Sequence, residues 1–171
     1  MILDMVNLTK LRRAVLYLLL LMAVFFVQEI ILSHVRIFGV RPMILPLSVV
    51  AIGFWAGGVW GGVFGIIAGI FADMSMNTAS VLMTIVFPAI GFFSGALPMF
   101  FMSRKLSSFF FLGLGALFVT ACLQMFRFFV FSDTAIFPVL LTGLLQILWS
   151  TPFIFALYHP SRAISRLYSD R

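Results

Sequence analysis

The stretch PMILPLSVVAIGFWAGGVWGGVFGIIAGIFA, residues 42–72, decides how this chain is built. As one continuous helix it would be roughly 46 Å long at 1.5 Å per residue. That is too long for a hydrocarbon layer of about 30 Å, and short for two full-length crossings with a loop. The flanking charges break the tie, because Lys and Arg collect on the cytoplasmic side of a membrane. Lys10, Arg12 and Arg13 precede an apolar run from Ala14 to Leu32, and Arg104 and Lys105 follow another from Thr78 to Met102. Both basic groups fall on one side only if residues 42–72 cross an even number of times. The stretch therefore predicts two short helices with a turn near Gly53–Gly58.

Composition points to the same solvent. Of the 171 residues 63% are hydrophobic and only 9% charged, against about 25% charged in a soluble domain. So few charges cannot cover a water-facing surface, and lipid must surround most of the chain. The expected fold is an all-α integral membrane protein forming a single domain over residues 1–171. Six helices are expected at about 14–32, 42–53, 56–72, 78–102, 107–131 and 137–158, followed by a basic cytoplasmic tail at 159–171. The first run resembles a signal peptide in its basic flank, but its length and the absence of a small-residue cleavage site mark it as an uncleaved first helix. The tail is expected either to lie as a short helix on the inner leaflet or to fray.

With both ends inside, the cytoplasmic face holds Lys10, Arg12, Arg13, Arg104, Lys105, Arg162, Arg166 and Arg171 against Asp4 and Asp170. It thus carries the whole net charge of +6. On the outer side Arg36, Arg41 and Arg127 balance Glu29, Asp73 and Asp133. The basic character reads as orientation and contact with anionic lipid rather than nucleic-acid binding. Tyr17, Tyr158 and Tyr168, with Trp55 and Trp60, fall where interfacial aromatics are expected on the inner side.

Gly57, Gly61, Gly65 and Gly69 recur every four residues. Leucine gains nothing by facing another helix rather than lipid, so helices in a bilayer associate through close backbone approach, which small residues permit. The simplest account is a central third helix packed inside the bundle; a homodimer face is the alternative. Pro88 and Pro98 are expected to kink helix four, and Gln124 and Gln146 to supply interhelical hydrogen bonds.

Ionisable groups in membrane segments are functional candidates by default. Glu29, Arg41, Asp73 and Arg127 share a depth near the outer ends of their helices. Arg127 is expected to pair with Glu29 or Asp73. The alternatives are a pocket open to the outside and plain interfacial snorkelling. No catalytic, cofactor-binding or metal site is expected. His34 and His159 fall on opposite sides, Cys122 is the single cysteine, and no nucleophile-elbow or zinc-ligand spacing occurs.

The order of these features resembles the rod shape-determining MreD family, across nearly the whole chain. An acid stands near the outer end of helix one, Arg41-Pro42 precedes two short helices, and a glycine-studded third helix ends in Gly69-x-x-x-Asp73. Arg41, Pro42, Gly61, Gly65, Gly69 and Asp73 are the residues that carry the resemblance. It implies a non-enzymatic component of the bacterial inner membrane that maintains rod shape within the wall-elongation machinery. The implied partners are MreC, the MreB filament, a wall polymerase and a penicillin-binding protein, with no cofactor. It also implies a fold similar to the substrate-binding S component of energy-coupling-factor transporters. The alternative function is such an S component, binding a vitamin-like solute, although the Ala-x-x-x-Ala docking pattern is not present on helix one.

Overall fold

Leu45–Ala56 forms a helix that is apolar on every face, and its residues 45–54 are all buried. A helix of that kind must lie inside the protein. At about 18 Å it falls short of the thickness of a hydrocarbon layer, so its end groups lie at membrane depth and need partners from neighbouring helices. The rest of the fold is arranged around it.

The computed structural model describes residues 2–32, 40–75, 81–100, 105–131 and 136–167, with side chains throughout except at 2–10, 127–131, 136, 138 and 167. The helices are α1 (Ile2–Phe26), running into a π-helical turn (Val27–Leu32), then α2 (Leu45–Ala56), α3 (Gly58–Ser75), α4 (Leu82–Phe100), α5 (Leu106–Phe131) and α6 (Ile136–Leu167). No strand occurs among the described residues. Five segments are long and apolar enough to cross a membrane: Leu11–Leu32, Gly58–Ser75, Leu82–Phe100, Leu106–Phe126 and Val139–Arg166. They mark the chain as a membrane protein.

Contacts give the direction of each helix. Arg13 Nη2 donates to Trp55 O at 2.9 Å, while Gln28 bonds residues 44 and 45, so α1 and α2 are antiparallel. Gly57 alone makes the turn to α3. Its φ of 103° is a conformation that favours glycine. Its N–H closes α2 on Gly53 O and its carbonyl opens α3 at Gly61 N, both at 2.9 Å. The pairs Phe54–Phe109 and Phe109–Tyr158, each with ring centroids 5.5 Å apart, run α5 antiparallel to α2 and to α6. Arg13, the Gly57 turn, Phe109 and Tyr158 therefore gather at one end of the bundle, here the basic end. The other end, where Glu29, Arg41 and Asp73 lie, is the acidic end.

Three expectations change. The central helix is α2, not the glycine-rich α3. One side of α3 is buried through Gly61, Phe64, Gly65, Ala68, Gly69 and Ala72, while Val59, Val63, Ile66, Ile70 and Met74 are exposed on the other. Over its described residues the tail neither frays nor lies apart as its own helix, since α6 continues through Pro160 to Leu167. It continues because Ser161 is fully buried, its hydroxyl donating to Leu157 O at 2.6 Å, and Ile164 packs on the cluster around Tyr17. The first helix also begins well before residue 14.

The glycines of α3 meet α4 backbone against backbone. A Cβ at Gly65 would lie 2.6 Å from Phe87 O, and one at Gly69 would lie 2.5 Å from Thr84 Cα. Gly61 abuts Gly91 of α4 and Gly53 of α2, and Gly95 abuts the Gly57–Gly58 turn. This junction locks α2, α3 and α4 together and covers the α3 glycine face within the chain, leaving no room on it for a second copy. α4 remains helical through Pro88 and Pro98.

Candidate functional site

The polar side chains of the acidic half come from five elements, the π turn, α3, α4, α5 and α6, and they converge on the starts of two helices, α2 and α4. The first turn of any helix leaves N–H groups without intrahelical acceptors, and in lipid each stranded group costs several kcal/mol.

At the start of α2 every such group is accounted for. Met43 N–H donates to Ser150 Oγ of α6 at 3.0 Å. Ile44 and Leu45 N–H both donate to Gln28 Oε1, at 2.9 and 3.0 Å. Pro46 has no N–H, and Leu47 and Ser48 N–H donate to Ile44 O at 3.0 and 3.2 Å. Gln28 reaches these amides from the π turn, where the widened backbone re-aims side chains relative to an α-helix. Gln124 Nε2 lies 3.0 Å from Met43 Sδ, joining α5 to the same corner.

Asp73 does the corresponding work for α4. One carboxylate oxygen accepts from Met83 N–H at 3.2 Å; the other accepts from Thr84 N–H at 2.9 Å and Thr84 Oγ1–H at 2.7 Å. These are second- and third-position amides of the helix that begins at Leu82, which an N-cap side chain normally serves. Here the cap comes from the end of α3, and its negative charge also complements the positive end of the α4 dipole. This explains why a carboxylate ends the glycine helix. Glu29 accepts a hydrogen bond from Ser75 Oγ, tying the end of α1 to the end of α3.

Of the other candidates, Arg41 is exposed and Pro42 half-buried in the non-helical segment that leads into α2. Gly61, Gly65 and Gly69 lie in the backbone junction with α4. The Arg127 side chain, and with it the expected pairing to Glu29 or Asp73, lies outside the described residues. Both oxygens of Asp73 are already engaged by α4. Among the described residues no group of three His, Cys, Asp or Glu is placed to hold a metal ion.

Sequence reasoning missed Gln28 and Ser150, and it missed Gly91 and Gly95 as packing residues. The glycines had a readable signal, since Gly91-x-x-x-Gly95 has the same small-residue spacing as α3. Other hydroxyls bond back within their own helices, as Thr120 does to Ala116 O at 2.7 Å and Ser94 to Gly91 O at 2.9 Å. The cluster thus fixes where helices start.

No protein-family model, curated protein or solved structure matches this chain.

Asp73→Leu removes the acceptor of three donors. It should lower stability by about 2–6 kcal/mol, at about 1–3 kcal/mol for each of the two amides left unsatisfied. Asp73→Asn, which keeps one carbonyl oxygen, should lose about half of that. Thermal unfolding of the detergent-purified variants, followed by the loss of monodisperse protein, is the check.

Proposed function

We propose that this chain is a non-enzymatic membrane scaffold of the MreD kind. In this reading it crosses the bacterial inner membrane six times with both ends in the cytoplasm. It binds the transmembrane segment of a partner such as MreC and helps position the wall-elongation machinery, including MreB, a wall polymerase and a penicillin-binding protein.

The observation that carries the reading is the commitment of the α2 amides. In transporters with broken helices, the free N-terminus of a short internal helix is where an anionic substrate group is held. Here Gln28 and Ser150 already occupy those amides, which favours an architectural role for the acidic half over solute capture. A second support is the apolar outer surface. α3 presents Val59, Val63, Ile66, Ile70 and Met74, and α4 presents Ile85, Phe92 and Phe93, faces suited to lipid or to another transmembrane helix. The alternating directions of the helices support the proposed topology, because they bring the basic residues 13, 105 and 162 to one end.

Depletion in a rod-shaped host should round the cells, and MreC should co-purify with the protein in mild detergent. Normal rods after depletion, with no MreC recovered, would overturn the proposal. A stoichiometric vitamin-like solute released on denaturation and identified by mass spectrometry would instead establish the S-component alternative.

A further inference from the structure

At the basic end, α1, α2 and α6 meet along a seam lined by Arg13, Trp55, Tyr158 and Arg162. The Arg13 guanidinium donates through Nη2 to Trp55 O at 2.9 Å and sits 5.8 Å from the centre of the Tyr17 ring. The Trp55 and Tyr158 rings are 5.9 Å apart, and the Arg162 guanidinium sits 5.7 Å from the Tyr158 ring centre. Two donors in this seam, Arg13 Nε and Trp55 Nε1, are buried atoms with no hydrogen-bond acceptor among the described residues. Buried donors in folded proteins are nearly always paired, and a hydrogen bond from a charged donor is among the stronger ones. Arg13 and Trp55 are themselves only half-buried, so part of each residue reaches the surface near the hidden nitrogens.

The missing partner has a definable chemistry. It must be an acceptor, because both orphan groups only donate. An anion suits it best, because two guanidinium groups flank the seam and Arg forks onto phosphate oxygens. Nε and Nη2 share one edge of the guanidinium, the edge that takes a phosphate oxygen once the half-buried side chain shifts to admit it. Finally, it must be present where interfacial Trp and Tyr lie, at headgroup depth. We propose that this seam is a binding site for the phosphate of an anionic inner-leaflet lipid. Basic pockets between transmembrane helices on the cytoplasmic side recognise such headgroups. The site is distinct from the acidic-end cluster; it rests on the proposed orientation, with the basic end inward, but not on the scaffold role.

The test is native mass spectrometry of the full-length protein, delipidated in mild detergent and titrated with phosphatidylglycerol, with phosphatidylcholine as the zwitterionic comparison. Phosphatidylglycerol should bind about tenfold more tightly than phosphatidylcholine. Arg13→Gln should remove about that factor, the size expected for one charge-assisted hydrogen bond. Trp55→Phe keeps an aromatic ring and the carbonyl that Arg13 uses but removes the indole N–H, so it should weaken binding several-fold with the fold intact; it carries the test if Arg13→Gln does not fold. Arg166→Gln, at an exposed position further along α6, should change nothing. Equal losses in the Arg13 and Arg166 variants would show a diffuse basic field in place of a site. No loss with Trp55→Phe would overturn the proposal, as would displacement of the lipid by millimolar inorganic phosphate.

Discussion

Gly61→Val is expected to abolish the folded bundle, leaving aggregated protein in place of a monodisperse peak. A Cβ at this position would lie 2.6 Å from Gly53 Cα and 2.7 Å from Gly91 C, and would also overlap Gly91 O. Each of these atoms is backbone inside a helix, so none can yield by changing a rotamer. Relief requires moving α2 or α4 bodily, and both are fixed elsewhere, α2 by its caps on Gln28 and Ser150 and α4 by Asp73. Overpacking a core ordinarily costs about 1–3 kcal/mol; backbone against backbone at a three-helix junction should exceed that range, comparable to the whole stability of a small domain. Gly115→Val is the control. No atom lies within 4 Å of a Cβ there, so that variant should elute and unfold like the parent. Fluorescence-detected size exclusion of tagged variants in mild detergent reads both.

Gln28→Leu is the second large effect. The substitution preserves bulk and apolar contact but removes the one oxygen that accepts from Ile44 and Leu45 N–H. At about 1–3 kcal/mol for each amide left unsatisfied, the loss should be roughly 2–6 kcal/mol. Gln28→Glu retains an acceptor and adds a charge that suits a helix N-terminus, so it should recover most of the stability. The acceptor thus predicts Gln well above Leu, with Glu near Gln. Equal thermal midpoints for Gln and Leu would mean that the caps contribute little. Ser150→Ala, which exposes the single amide of Met43, should cost less than Gln28→Leu.

The contrast between these two sites shows what was legible in the sequence. Gly61, Gly65 and Gly69 announced themselves because small residues at a fixed four-residue interval have few uses in an apolar helix other than close packing. What they pack against was not legible, since Gly91 lies far along the chain. The centrality of α2 was readable in principle: Leu45–Phe54 is apolar on every face, whereas α3 alternates glycine and bulky residues in the manner of a helix with two different neighbours. Gln28 could not be found by local rules, because an N-cap is sought next to the helix it serves, and this one acts from a π turn some 16 residues upstream. Asp73 was found as an acid at a helix end. Its role was hidden for the same reason, since the amides it holds belong to the next helix. The apolar run of α6 stops at Tyr158, which is where a spanning helix is expected to end, while burial of Ser161 and Ile164 carries the helix past it.

These residues have one arrangement in common. A short buried helix turns back at Gly57 into α3, so that the start of α1, the Gly57 turn, the start of α5 and the end of α6 share one end of the bundle, the end that faces the cytoplasm in the proposed topology. The most direct test is cysteine labelling with a membrane-impermeant maleimide, after Cys122→Ser removes the native thiol. Lys105→Cys, in the short segment before α5, should be protected in intact cells and labelled in inverted vesicles, as should Arg12→Cys, while Ser75→Cys at the acidic end should react in intact cells. Labelling of Lys105→Cys from outside, with Arg12→Cys labelled only from inside, would contradict the hairpin and the architecture built around it.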